Sequence, residues 1–322
     1  MEPIYAAFAD PGTGATFIAN GGTASRAQGA TVHPGNLTAN SVVIANDGKN
    51  GGRGGRVYFL YDLVGGPGQV KVFGDGSVDI SRLTSDAASF GSIEGSGKIF
   101  LGSKNLSVGS NNRSTRFRGV IRDGGYIDDT GGSLTKEGSG SLTLLHPSSY
   151  TGGTTVTSGD LLVANLSGSA TGTGDVFVNA GTLGGKGIIA GAVTLGTANG
   201  SGATLAPGQE AIPGTLTIQR SLTFQIDGVY QCALNSDSGM MTQVTANGVT
   251  IEMGAQFSLA DLGSSVVAPG TVFTAIDNTA ATPIMGTFSN FGDGEIVTAG
   301  GNNLQADYEG GDGNDFTLTV VQ

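Results

Sequence analysis

Tryptophan is absent from these 322 residues, cysteine occurs once and histidine twice. A lone cysteine rules out an internal disulfide framework, and three Cys/His side chains in all are too few for a zinc cluster of that type. Charged residues make up only 13 %, and acidic ones outnumber basic ones 26 to 15, a net charge of −11. That balance argues against nucleic acid, whose phosphates need a basic surface. No apolar run approaches the ~18 residues of a membrane-spanning helix. The start, Met1-Glu2-Pro3-Ile4-Tyr5, lacks a basic segment followed by an apolar one, so no signal peptide is read.

Glycine, by contrast, fills 58 positions. Collagen would need it at every third place, which does not occur. Disorder fits badly, because 38 % of residues are hydrophobic and mean hydropathy is slightly positive. What remains is a β protein with many turns. Charge divides unevenly along it. Residues 1–137 hold 13 Lys+Arg against 12 Asp+Glu (net +1), and residues 138–322 hold 2 against 14 (net −12).

Internal repeats set the fold class. Ala15-Thr16-Phe17-Ile18-Ala19-Asn20-Gly21-Gly22 recurs 26 residues on as Ser41-Val42-Val43-Ile44-Ala45-Asn46-Asp47-Gly48. A looser copy, Gln69-Val70-Lys71-Val72-Phe73-Gly74-Asp75-Gly76, aligns with the second at an offset of 28. Each is a β-favouring run closed by a turn signal. Glycines 140, 159, 181 and 202, spaced 19, 22 and 21 residues apart, open similar runs further on. Such periods predict an all-β, parallel β-helix, one coil per repeat. Strand alternation at these offsets places Thr16, Ile18, Val42, Ile44, Val70 and Val72 inward, with Asn20 and Asn46 stacked at a corner. Asp79 to Phe90 is the only stretch with any helical character. From Ser221 onward, tightly alternating runs with short connections predict hairpins forming a β-rich cap. The expected division is thus an N-terminal extension at 1–14, coils at 15–220 and a C-terminal cap at 221–322.

The stretch Ser133-Leu-Thr-Lys-Glu-Gly-Ser-Gly-Ser-Leu-Thr-Leu-Leu-His-Pro-Ser-Ser-Tyr-Thr-Gly-Gly-Thr-Thr-Val156 resembles the passenger-associated transport repeat of bacterial autotransporter passengers. Gly91–Gly97, Leu101–Asn112 and the ending Tyr308–Val321 are similar to such proteins as well. The resemblance implies a right-handed β-helix (β-solenoid), export, and a mostly non-catalytic stalk, adhesive or matrix role at the cell surface or outside the cell. The transport repeat itself is placed at about 133–163. His146-Pro147 departs from the small residues usual there, and Met240–Val244 departs from an Asp-containing pattern. No membrane barrel follows, so signal and anchor are not expected within this chain.

Candidate chemistry is sparse. The rival reading is a polysaccharide-binding or polysaccharide-cleaving β-helix, for which paired carboxylates are needed. Asp123, Asp128 and Asp129, beside Arg118 and Arg122, are the nominees, with solvated corner residues as the plainer account. His33 and His146 each precede proline and read as exposed loop residues. Cys232 shares strand parity with Tyr230 and Leu234 and reads as a buried thiol. Gly310-Gly-Asp-Gly-Asn-Asp315 resembles a single calcium-binding nonapeptide, so Asp312 and Asp315 are the calcium candidates, against a tight hairpin turn. No catalytic residue, cofactor or metal site is assigned. Arg113, Arg116, Arg118 and Arg122, with Lys98 and Lys104, form a candidate stripe for a polyanion or glycan. The expected partners are a glycan or cell-surface ligand, and further copies of the chain joined end to end, since Met1 to Pro11 offers no cap for the first coil.

Overall fold

A computed structural model describes residues 14–61, 65–197, 202–208 and 212–322. The extension expected at 1–14, and with it the question of what covers the first coil, lies outside the described residues but for Gly14. The described residues contain no α-helix and fall almost entirely into short strands and turns. The stretch with helical character, Asp79–Phe90, is instead a strand end, a turn and the start of the strand Ala87–Gly95. Two compact units are present: residues up to Leu161 with Asn165–Gly174, and Leu162–Ala164 with Asp175–Gln322.

The first unit is a β-solenoid built of parallel columns. One column stacks Thr16–Ala19, Val42–Ala45, Gly65–Val72, Ala87–Gly95, Thr115–Phe117 and Ser141–Leu144, each in parallel register with the next. A second stacks the first half of Ala87–Gly95 on Asn105–Val108, Ser133–Lys136 and Thr154–Val156. The third is a five-stranded sheet of Thr31–Val32, Arg56–Tyr58, Ser77–Asp79, Lys98–Phe100 and Val120–Arg122. Its inward positions, Val32, Val57, Val78, Ile99 and Ile121, are all buried. Apolar side chains at equivalent positions of successive coils thus form continuous files, and burying them supplies the main stabilising force.

Register explains where the expected inward face fails. Thr16 pairs with Val42 and Ile18 with Ile44, the expected offset of 26. Val42, however, pairs with Gln69, and Val43 with Val70, an offset of 27 where the sequence alignment has 28. A one-residue slip reverses every side chain's face. Val43, Ala45, Val70 and Val72 are therefore the inward set, all fully buried, whereas Val42 and Ile44 face outward and Ile18 is 45 % exposed. The amide ladder is present on that outer side: Asn46 Nδ2 donates to Asn20 Oδ1 at 2.9 Å.

The second unit repeats the scheme. Val176–Val178, Val193–Leu195, Leu222–Phe224 and Val249–Ile251 form one parallel column. Gly181–Gly185, Ala203–Pro207, Gly228–Asn235 and Gln256–Asp261 form another. Ile188–Ile189, Thr215–Ile218, Gln243–Ala246 and Val272–Asn278 form the third. Parallel coils thus run well past residue 220, and the hairpins expected from Ser221 are mostly coil strands. The alternating pattern there is common to both arrangements. Apart from a short hairpin in which Met240–Met241 pairs back on the end of Gly228–Asn235, antiparallel pairing takes over where Val272–Asn278, Asp315–Val321, Asn302–Gly310 and Ile296–Ala299 pair in turn. This meander packs on an aromatic cluster. Phe257 lies 5.2 Å from Phe291 and 5.3 Å from Phe316, and Tyr308 lies 4.5 Å from Phe316, ring centre to ring centre. The Tyr230 hydroxyl donates to the Ala275 carbonyl at 2.7 Å, satisfying its one polar atom inside that cluster.

The register makes neighbouring residues unequal. Val43→Asp should leave an uncompensated buried charge and cost at least about 3 kcal/mol. Ile44→Asp, facing solvent and paired in register with Lys71, should cost about 1 kcal/mol or less. Urea unfolding of the two variants checks this; equal losses would refute the assigned faces.

Candidate functional site

The outward face of the five-stranded sheet carries a groove. Two files of side chains emerge from that face. Arg56, Ser77 and Lys98 share one register position, and Tyr58, Asp79, Phe100 and Arg122 share the next outward one. Above them, the segment 123–132 leaves the sheet and folds back. It is held by the buried Asp79 and Ser81. Asp79 Oδ2 accepts the Tyr126 N–H at 2.7 Å, Ser81 Oγ accepts the Ile127 N–H at 3.0 Å, and Asp79 Oδ1 accepts both the Ser81 N–H and its hydroxyl. Gly125 has φ +130°, and a Cβ there would sit 2.8 Å from the Asp79 carboxylate, so glycine is required where the segment crosses.

The result is a groove of about 360 Å³ lined by Arg56, Tyr58, Lys98, Phe100 and Tyr126, with Asp75, Ser77, Asp79 and Gly125. That volume falls within the usual range of ligand sites. Tyr126 is 62 % exposed and carries the Arg82 guanidinium over its ring at 4.2 Å, while Arg122 lies over Phe100 at 5.4 Å. Tyr58 meets Tyr126 edge to face and stacks on His33. Both lining carboxylates are occupied by donors. Asp75 accepts the Gly48 and Gly54 N–H groups at 2.8 and 2.7 Å, and its pKa is lowered, chiefly through its hydrogen bond with Asp47. Asp79 is taken up by the Ser81 and Tyr126 donors, though burial raises its pKa. Among the described residues the only ion pairs are Lys71–Glu94 and Lys104–Asp86. Arg56, Lys98 and Arg122 therefore face solvent without a carboxylate in contact.

The expected basic stripe is brought together only in part: Lys98 and Arg122 lie on adjacent strands of the groove's sheet, and the rest is dispersed. Arg122 lies on the groove's sheet, Arg116 on Thr115–Phe117 in a different column, and Arg113 and Arg118 in connecting segments. The corner between Phe117 and Val120 separates Arg122 from the other three arginines. Asp123 of the acidic trio anchors its own loop: its oxygens accept the Gly131, Gly132 and Thr151 N–H groups and the Thr151 hydroxyl. Asp128 and Asp129 are exposed. His146 is exposed as expected, but His33 is half-buried against Tyr58, and burial lowers its pKa. Cys232 is fully buried; burial pushes its thiol up to about 12, which makes it inert. Gly310 pairs with Asp315 to close a tight hairpin, and Asp315 is buried, accepting the Asn278 N–H at 2.9 Å. No group of three or more His, Cys, Asp or Glu among the described residues is arranged to hold a metal.

Two features escaped the sequence reading. The groove's file at positions 58, 79, 100 and 122 repeats at 21, 21 and 22 residues, a spacing carried in the sequence by polar and aromatic residues and not by Val/Ile runs. The other is Lys136, only 1 % exposed, whose Nζ donates to the carbonyls of Glu137, Gly138 and Ser158 at 2.7, 2.9 and 3.1 Å. Burial lowers its pKa, opposed by Asp160 and Glu137. It satisfies three corner carbonyls from two successive coils at once. Nearby, the buried Tyr150 hydroxyl meets Thr154 Oγ1 at 2.6 Å, and Leu134, Leu142, Leu144 and Val156 point into the core.

Fold and site together define a β-solenoid with a surface groove. Within it, residues 134–163 match the passenger-associated-transport-repeat family, the segment on which the sequence resemblance rested. No curated protein matches the chain. Among solved structures the chain is similar to the crystal structure of the Haemophilus influenzae Hap adhesin, at 14 % identity and a TM-score of 0.30, across 98 % of this chain. It spans 43 % of that adhesin's length. No helix among the described residues is long and apolar enough to cross a membrane.

Two substitutions test these assignments. Lys136→Met keeps the aliphatic stem but strips three corner carbonyls of their donor, and should lower stability by about 2–3 kcal/mol as a shifted urea midpoint. Asp79→Asn turns one acceptor oxygen into a donor facing donors. Amide exchange at Tyr126 and Ile127 should then accelerate about tenfold or more while strand amides of the same coil stay protected.

Proposed function

We propose that this chain is an exported, non-catalytic passenger-type protein, displayed at a bacterial surface or released from it, where its coils serve as stalk, adhesive or matrix element. The observation that carries this reading is the fit of the transport repeat into the solenoid. Its characteristic residues all build the coil. Leu134, Leu142, Leu144 and Val156 fill the core, Lys136 seals a corner, and Gly138 adopts φ +69° against the Gly109 backbone. A segment whose chemistry is spent on coil closure suits a structural element better than a catalytic one. The commitment of Asp123 to its own loop supports the same side, because it removes one nominee from a carboxylate pair. Near-absence of cysteine also suits a chain that meets oxidising surroundings without relying on disulfides.

Location is the decisive measurement. In the source bacterium, an epitope-tagged copy should be removed from intact cells by brief external protease, or recovered from the medium, while a cytoplasmic marker stays intact. Recovery of the tagged protein solely from the protected cytoplasmic fraction would overturn the reading.

A further inference from the structure

We propose that the groove over the five-stranded sheet binds an acidic polysaccharide, pairing the polymer's anionic groups with Arg56 and Lys98 and packing its sugar rings on Tyr58, Phe100 and Tyr126. Three observations converge on that ligand. The first is unmet charge: Arg56 and Lys98 line the groove, Arg122 continues the file, and none has a carboxylate partner among the described residues. Basic groups gathered at the rim of a concavity raise the local positive potential and suit an external anion. The acids that also line the groove do not compete, since Asp75 and Asp79 are held by backbone and serine donors.

The second observation is the form of the apolar surface. Tyr126 and Phe100 line the groove, each with a guanidinium over one face of its ring, Arg82 at 4.2 Å and Arg122 at 5.4 Å, which holds the rings in place by cation–π contact. Sugar rings offer flat C–H faces that pack on aromatic rings, with hydroxyls left for hydrogen bonding at the edges. The third is spacing. Arg56 and Lys98 lie two ladder steps apart, roughly 10 Å, so one small anion does not bridge both. A chain carrying anions at intervals does, and each guanidinium or ammonium then makes a charge-assisted bond. The groove is also pre-formed: Asp79 and Ser81 fix the Tyr126 wall by backbone bonds, which reduces the ordering cost of binding.

This inference stands apart from the export reading, because it concerns binding by the purified chain and not its location. The anion is a uronate carboxylate or a sulfate, and the probes separate them: polygalacturonate carries only carboxylates, heparin carries both, dextran neither. Calorimetric titration of the whole protein should show saturable binding to at least one acidic polymer, weakening as salt rises, and none to dextran. The double variant Arg56→Ala/Lys98→Ala, and separately Tyr126→Ala, should lose about tenfold or more in affinity. The double variant Arg113→Ala/Arg116→Ala removes the same charge away from the groove and should leave affinity unchanged. Circular dichroism identical to the parent's shows that each variant is folded; because Tyr126 is exposed, its variant keeps the test valid if the double variant misfolds. The proposal fails if neither acidic polymer binds, if the Arg113/Arg116 pair matters as much as Arg56/Lys98, if dextran binds equally, or if poly(dT) binds more tightly than either acidic polysaccharide.

Discussion

The parallel ladder between successive coils is the constraint on which the rest depends. Each strand must meet the next in one register, because side chains alternate and a slip of one residue exchanges core for solvent. Coil lengths are free to vary so long as the corners absorb the difference. In the first unit the steps are 26 and 27 residues at Thr16, Val42 and Gln69, and 21, 21 and 22 from Arg56 through Ser77 and Lys98 to Val120. The corners do this with side-chain bonds as well as glycine. Asp47 and Asp75 hold neighbouring turns through backbone N–H groups, and Lys136 collects carbonyls from two coils. Because every coil's donors point at its neighbour, the corner chemistry acts between repeats, and a single lost corner bond loosens two coils.

The second unit solves a different problem with the same ladder. Aliphatic files of Val, Ile and Leu suffice between coils, but where parallel pairing gives way to the antiparallel meander the inner space is no longer filled by equivalent residues. Phenylalanine and tyrosine take over there: Phe224, Tyr230, Phe257, Phe288, Phe291, Tyr308 and Phe316 interlock with ring centres 4.5 to 6.5 Å apart. Two of these hydroxyls reach backbone carbonyls, Tyr230 to Ala275 and Tyr308 to Phe291, so the polar tips add direction to an otherwise apolar plug.

The class of fold was legible in the sequence because solenoid coils write themselves as periods, and because the transport repeat spells out one coil in consecutive residues. The inward face was only partly legible. The first and second copies align without ambiguity, Thr16 on Val42, but Lys71 within the third admits two alignments that differ by one residue, and only the ladder chooses between them. The start of the cap was misplaced for a related reason. Ser221–Ile226 alternates identically whether its neighbour is a hairpin partner or the next coil, since alternation records burial on one face and is silent on strand direction. The groove was hidden more deeply. Its residues come from four coils, so no local motif contains it, and Asp79, which holds its wall, looks in sequence like any acidic turn residue.

Where the groove lies follows from the same geometry. A regular solenoid presents flat, repetitive faces, and a concavity requires one coil to break the pattern. The segment 123–132 does so immediately after Val120–Arg122, the last strand of the five-stranded sheet, so backbone that would have stacked on a further strand turns back across the outer face. Burying the Asp79 carboxylate beneath it carries a desolvation cost that raises its pKa, offset by three donors from Ser81 and Tyr126. Those donors tie the loop down over a row of cations and aromatic rings. The carboxylate makes physical sense as the post that holds Tyr126 opposite Arg56 and Lys98, and the positive-φ crossing at Gly125 belongs to the same device.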